Sequence, residues 1–172
     1  MNKFRLILMG GLPGTGKSTV AEGVARAFGV TLLSIDPAEA ALRRVGVPEA
    51  STGIAAYVVL EALAEEQLKL GHSVIVDAVN PVEVARATWR ALAIRHGADL
   101  KVVECVCGDE ALHRNRVEAR VRNIPGLREL TWEMVERRKA NDDAWTDERL
   151  TLETGAATPE TLIAEAIAYI GR

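Results

Sequence analysis

The chain has 172 residues, 48% of them hydrophobic, with a formal net charge of −3. That length suits one domain with one substantial core, and the mild acidity argues against whole-chain attraction to a nucleic-acid backbone and for small partners. The amino-terminal stretch MNKFRLILMGG holds too short an apolar run for a secretory signal or a spanning helix and has no small-residue cleavage site, so a soluble, cytoplasmic protein without a membrane partner is expected.

Apolar runs of two periods alternate along the chain. Phe4 to Met9 reads as a strand, Lys17 to Phe28 as a helix closed by Gly29, and Thr31 to Ile35 as a second strand. Helices follow at Ala38 to Arg44 and at Ile54 to Leu70, the latter ended by Gly71, before a third strand from Ser73 to Asp77. A helix from Val82 to His96, with Gly97 as its left-handed stop, leads to a strand from Leu100 to Cys107. Helices at Glu110 to Val121 and Thr131 to Asn141 flank a connection, 123 to 130, broken by Pro125 and Gly126. A strand from Arg149 to Glu153 and a helix from Pro159 to Ile170 complete the pattern. Short Val, Ile and Leu-rich strands joined by helical crossovers predict an α/β fold with a parallel sheet covered on both faces. Cys105 and Cys107, the only cysteines, lie on an apolar run without further ligands and read as buried thiols.

Gly11, Leu12, Pro13, Gly14, Thr15, Gly16, Lys17 and Ser18 match GxxxxGK(S/T) between a strand and a helix, the context that gives this motif its meaning. Its glycines let successive amides converge on phosphate oxygens, and the helix adds its positive dipole end. Lys17 is placed for the β- and γ-phosphates, the Ser18 hydroxyl for Mg2+, and Thr19 for the α-phosphate. The expected ligands are ATP, with GTP possible, and Mg2+.

With GLPGTGKST, Ser34-Ile35-Asp36, the VIVDAVN stretch from Val74 to Asn80, and an arginine-rich helix leading into GLRELTWEMVERR, the chain resembles the small P-loop kinases related to polynucleotide kinase, zeta toxin, gluconate kinase and chloramphenicol phosphotransferase. The resemblance implies a P-loop NTPase three-layer α/β/α fold with a five-stranded parallel sheet, one kinase-like domain over residues 1 to 172, and a helical lid at about 113 to 140. It implies phosphoryl transfer from ATP to a hydroxyl of a small molecule or nucleotide. Neither the NKxD nor the DxxG string of GTPases is present. A 5′-hydroxyl polynucleotide kinase and a nucleotide-gated switch acting through a protein are the alternatives. Glu39 stands where polynucleotide kinases carry an arginine, which counts against the first.

In the kinases this chain resembles, an aspartate at the position of Asp36 accepts the proton of the attacking hydroxyl. Asp36-Pro37-Ala38-Glu39 reads equally as a helix start with an N-cap, proline at the first turn and glutamate at the third position. Asp77, closing an apolar strand, is a Walker B candidate for Mg2+. Asn80 before Pro81 reads as a helix cap. Arg116 and Arg120 are four apart, on one face of the expected helix, and resemble the lid start of nucleoside monophosphate kinases, where the first arginine packs on adenine and the second moves onto the transferring phosphate. Arg43 and Arg44 are either substrate-phosphate ligands or solvated helix residues, Arg114, Arg122 and Arg128 divide the same way, and Trp89, Trp132 and Trp145 read as packing residues.

Overall fold

The computed structural model describes residues 4–172; Met1 to Lys3, which open the amino-terminal stretch, lie outside the described residues. The chain forms β1 (Arg5–Gly10), α1 (Lys17–Phe28), β2 (Thr31–Ser34), α2 (Ile35–Arg44), α3 (Glu49–Lys69) and β3 (Val74–Asp77). It continues through α4 (Glu83–His96), β4 (Asp99–Val106), α5 (Glu110–Ala119), α6 (Trp132–Ala140), β5 (Leu150–Glu153) and α7 (Pro159–Ile170). All paired strands are parallel, in a five-stranded sheet of order β2-β3-β1-β4-β5.

Successive side chains of a strand point to opposite faces, so the central strand feeds two cores. Leu6 and Leu8 join Val74 and Val76 under Leu60, Leu68, Trp89 and Leu92 of α3 and α4. Ile7 and Met9 join Ile75 and Val103 under Val20 and Val24 of α1 and Leu162 and Ile170 of α7. Each such fully buried aliphatic side chain contributes about 1.5–3 kcal/mol. The result is the expected three-layer P-loop α/β fold. Among the described residues no helix is long and apolar enough to cross a membrane.

The site is positioned by topology. From β1 the chain passes through α1 to β2, and from β3 it returns through α4 to β4, the two helices lying on opposite faces. The carboxyl ends of β1 and β3 therefore border a crevice that no crossover covers, the ligand position of open α/β sheets. Gly11 follows β1 there and Asp77 ends β3, with Met9 and Asp77 paired in register.

Several boundaries differ from the sequence expectation. The second helix starts at Ile35, so Asp36 lies inside its first turn and Ser34 takes the N-cap position. The Ser34 hydroxyl makes no cap bond there and instead donates to Asp77 Oδ2 at 3.3 Å. α3 begins at Glu49 rather than Ile54, behind Pro48, and Thr52 Oγ1 donates back to the Pro48 carbonyl at 2.9 Å. α5 ends at Ala119, leaving Arg120 as an extended C-cap rather than a member of the helix. Asn80 is not a cap: that position belongs to Val82.

Asn80 is instead a buried bracket with φ of 53°. Its Nδ2 donates to the carbonyl of Met9 at 3.2 Å, its Oδ1 accepts from Trp89 Nε1 at 3.0 Å, and its amide donates to the Tyr57 hydroxyl oxygen at 2.9 Å. Behind it, Arg86 is 0% exposed. Its guanidinium donates to the carbonyls of Asn80, Ala144 and Pro81 at 2.8, 3.0 and 3.2 Å and to Asp142 Oδ1 at 3.0 Å, and it lies 3.9 Å over the Trp145 ring. One side chain thus ties α4 to the segment that leads into β5. Truncating it would leave several buried acceptors and a carboxylate without a donor. Arg86→Ala is expected to lower stability by about 3–5 kcal/mol in urea unfolding; a loss below about 1 kcal/mol, the scale of an exposed pair, would contradict this role.

Candidate functional site

The loop from Gly11 to Gly16 takes a path that side chains resist. Gly11, Gly14 and Gly16 have φ of 126°, 85° and 88°. A β-carbon on Gly11 would collide with the Cys105 carbonyl, and one on Gly14 would sit 2.5 Å from Val117 Cγ2. The loop is closed by Thr15, whose hydroxyl donates to the Leu12 carbonyl at 2.8 Å. Its carbonyl at Gly16 accepts the amides of Thr19 and Val20, so α1 starts directly on the turn.

Around this loop lies a cavity of about 170 Å³ lined by Gly14, Gly16, Lys17, Ser18, Thr19, Arg116 and Arg120. Lys17 is 7% exposed and has no ion-pair partner among the described residues. Its side chain opens onto this cavity with no carboxylate beside it, an arrangement that favours an anion there. The loop amides, the start of α1 and Lys17 together make a phosphate-binding cradle. Leu12 is half-buried behind the loop, and Pro13 borders a neighbouring cavity rather than the cradle.

That neighbouring cavity, about 200 Å³, is bordered by Pro13, Lys17, Asp36, Glu39, Arg43, Tyr57, Arg120, Arg122, Arg128 and Arg138, with apolar walls from Ile35, Leu127, Leu130 and Met134. Lys17 and Arg120 border both cavities. Asp36 Oδ2 accepts from Arg122 Nη1 at 3.2 Å, and Arg122 also donates to Glu129 Oε2 at 3.1 Å and to the Arg128 carbonyl. The Arg122 side chain is only 5% exposed. The Asp36 carboxylate is therefore held by the α5–α6 connection and not by its own helix start, so the cap reading fails.

Asp77 is 3% exposed, and while its Oδ2 accepts from Ser34, its Oδ1 is buried without a partner. The orphaned Asp77 carboxylate oxygen and the Ser18 hydroxyl, which borders the cradle, are oxygen donors of the kind a hard divalent cation such as Mg2+ takes. Arg116 donates to the hydroxyl and the carbonyl of Thr154, each at 3.0 Å. It also borders an adjoining recess of about 250 Å³ with Thr19, Val20, Thr154, Ala157, Pro159 and Leu162. Arg120 has no side-chain hydrogen bond or ion pair among the described residues and borders both the cradle and the second cavity.

Several functional candidates carry no motif. His113, buried on α5, donates from Nε2 to the Pro13 carbonyl at 2.8 Å and meets the Trp132 ring edge-on at 5.0 Å, tying both lid helices to the loop. Burial pushes the Tyr57 hydroxyl up to about 12, so it stays a neutral donor facing the second cavity. Arg138, Thr154 and Tyr57 are recognisable only once distant elements are brought together. None of Trp89, Trp132 and Trp145 borders the second cavity. Cys105 is buried and burial raises its thiol to about 12, whereas Cys107 is half-buried.

A strand, a left-handed glycine turn facing an enclosed lysine, and a lid of arginines over a five-stranded parallel sheet define a P-loop protein with the fold of the small kinases. The chain belongs to the AAA domain family, which it matches over residues 6–144, from β1 through α6. Uncharacterized protein Rv2004c of Mycobacterium tuberculosis (strain ATCC 25618 / H37Rv) is 41% identical over 101 residues, covering 52% of this chain and 20% of that protein. Uncharacterized protein Mb2027c of Mycobacterium bovis gives the same figures, so the chain spans about one fifth of the length of these relatives. Among solved structures, a sugar kinase from Janibacter sp. HTCC2649 superposes with a TM-score of 0.72 at 19% identity, covering 98% of this chain and 95% of that one. A gluconokinase from Sinorhizobium meliloti 1021 gives 0.70 at 20%, covering 98% and 92%. The Mycobacterium tuberculosis APS kinase in complex with AMPPNP and APS gives 0.68 at 21%, covering 99% of each. At these identities the likeness is one of fold.

Glu39 sits on α2 beside Asp36, and burial first, then the Asp36 charge, raises its pKa above the ordinary carboxylate range, against Arg138, Arg43 and Arg122. Its native pKa therefore exceeds its unfolded one. Between the two values the unfolded chain releases the proton first, so stability from this group is present at low pH and lost as pH rises through the native value. Glu39→Gln removes that loss. The urea midpoint of the variant should match wild type near about pH 4 and exceed it near about pH 7; a difference of opposite sign would contradict the assigned environment.

Proposed function

We propose that the protein is an ATP-dependent kinase that transfers the γ-phosphoryl group to a hydroxyl of a small molecule, acting as a single P-loop kinase-like unit with residues 113 to 140 as its lid. The observation that carries this reading is the sharing of Lys17 and Arg120 by two cavities, one built from loop amides and the other containing Asp36. A donor phosphate in the first and a hydroxyl in the second would meet where both cations stand. The kinase names of its structural neighbours agree with the reading.

In this reading the amides of the Gly11 to Gly16 loop and Lys17 hold the β- and γ-phosphates, and Thr19 lies beside the α-phosphate. Arg116 packs on the nucleotide base. Ser18, and Asp77 through its free Oδ1 or a water, would hold Mg2+, whose charge neutralises the phosphate oxygens. Asp36 accepts the proton as the acceptor oxygen bonds to phosphorus, the bond to the β-phosphate oxygen breaks, and ADP leaves with the electron pair. Arg122 keeps the Asp36 carboxylate directed into the cavity. Arg120 comes onto the transferring phosphoryl group from the lid. Positioning and electrostatics supply most of the rate in such transfers.

Two variants test this. Lys17→Ala should abolish the thermal shift that Mg-ATP induces while leaving the apo melting temperature within a few degrees of wild type. Asp36→Asn should keep ATP affinity and lower turnover by about 10²–10⁴, the usual worth of a general base. Full turnover in Asp36→Asn removes the base assignment, and acceptor-independent ATP hydrolysis that responds only to a macromolecule would favour a switch over a kinase.

A further inference from the structure

Enclosed arginines in this chain generally have partners. Arg86 has its buried network, Arg116 holds Thr154, Arg122 holds Asp36 and Glu129, and Arg149 donates to Glu104 Oε2 at 2.6 Å. Two places depart from this: Arg5 on β1, whose Nε is buried without a partner, and the second cavity. Arg43, Arg128 and Arg138 border it, and neither Arg128 nor Arg138 has a side-chain hydrogen bond or an ion pair among the described residues. Arg43 has one carboxylate, Glu49, at 3.9 Å, beyond hydrogen-bond reach, and its Nε is buried with no partner. A guanidinium turned into a cavity without its planar fork satisfied is poised for an external anion.

The order of charges along α2 gives the arrangement a direction. Asp36, Glu39 and Arg43 fall at i, i+3 and i+7, one face of the helix, and seven residues of helix rise about 10 Å. Arg138 enters the same cavity from α6, and it and Arg43 both act on the Glu39 charge. Between the ends, the Glu39 carboxyl group and the Tyr57 hydroxyl supply hydrogen-bonding partners of the kind that secondary hydroxyls need. The volume, about 200 Å³, lies below the range of about 300–1,000 Å³ usual for drug-sized ligands.

We infer that the phosphoryl acceptor is a compact polyol carrying an anionic group, a carboxylate or a phosphate ester, at the end remote from the reacting hydroxyl, and that Arg43 and Arg138 hold that group. This rests on the kinase reading and adds to it the charge, the size and the orientation of the acceptor. Arg128, more exposed on the 123 to 130 connection, lies over the same cavity and comes in with lid closure.

The test is a matched series offered with Mg-ATP: a neutral polyol, the corresponding sugar acid and the corresponding sugar phosphate, with a 5′-hydroxyl oligonucleotide alongside, followed by ADP release. Wild type should use a charged member with a kcat/KM at least about tenfold above the neutral one, the scale of losing a paired charge at an interface. The R43Q/R138Q double variant should lose that advantage through acceptor KM, keeping its ADP affinity, and R43K/R138K should recover part of it. Whichever of the acid and the phosphate suffers the larger loss identifies the group. Preference for the neutral polyol or the oligonucleotide, or an unchanged preference in R43Q/R138Q, overturns the inference. If no acceptor raises ADP release, the kinase reading fails by itself, and the anion site is then decided by calorimetry with inorganic sulfate on the Mg-ADP complex. Sulfate binding that disappears in R43Q/R138Q upholds the site, whereas equal binding in both proteins, or none in wild type, removes it.

Discussion

A lysine that opens onto two cavities, with no carboxylate within ion-pairing distance among the described residues, is the constraint to which the rest of the structure answers. Lys17 opens α1 immediately after a turn of three glycines with positive φ, so its charge adds to a local field already arranged for an anion. Everything that fixes this turn is rigid: the parallel pairing of β1 with β3 and β4, and the two apolar layers against the sheet. The packed sheet and the turn fix where that cation stands.

From that point outward the site is organised by arginines of different standing. Those that build structure are saturated, as Arg86 is between α4 and the segment before β5. Those that border a cavity while held by one side are partly engaged, as Arg116 is on Thr154 and Arg122 on Asp36. Those that border the cavities without partners, Arg120, Arg128 and Arg138, are ready for ligand. The distinction is physical, since a guanidinium whose donors are already satisfied at fixed carbonyls gains little from a phosphate, while an unsatisfied one gains a charge-assisted fork. His113 adds a mechanical link, joining α5 and, through the Trp132 ring, α6 to the Pro13 carbonyl within the glycine-rich loop.

The periodicity of the strands and helices, the order of elements and the phosphate loop were legible from the sequence, and the sheet and the layers follow that reading. The misread positions share one cause. Asp36 and Asn80 both carry side chains that cap helices well, and both precede a proline or a helix, yet neither caps one. Asp36 is taken by Arg122 from 86 residues away, and Asn80 by Met9, Trp89 and Tyr57. In each case a distant partner outweighs the local bond that a cap would give, because in a buried or half-buried place an unpaired polar group costs more than a cap contributes. The ends of α3 and α5 moved for related reasons, with Pro48 setting an earlier start and Arg120 leaving the helix to stand between two cavities.

What the linear sequence determined is the local chemistry: alternating apolar runs that make a parallel α/β sheet, glycines that permit one backbone path, and a lysine and a serine placed by that path. These are short-range consequences of sterics and hydrophobic period, and they survive without knowledge of the neighbours. Which arginines are spent on structure and which remain open, why Tyr57 and Glu39 face one cavity, and what holds Asp36 were decided by tertiary packing alone. Pairing energies and burial depend on partners brought together from dozens of residues apart, and no periodicity encodes them.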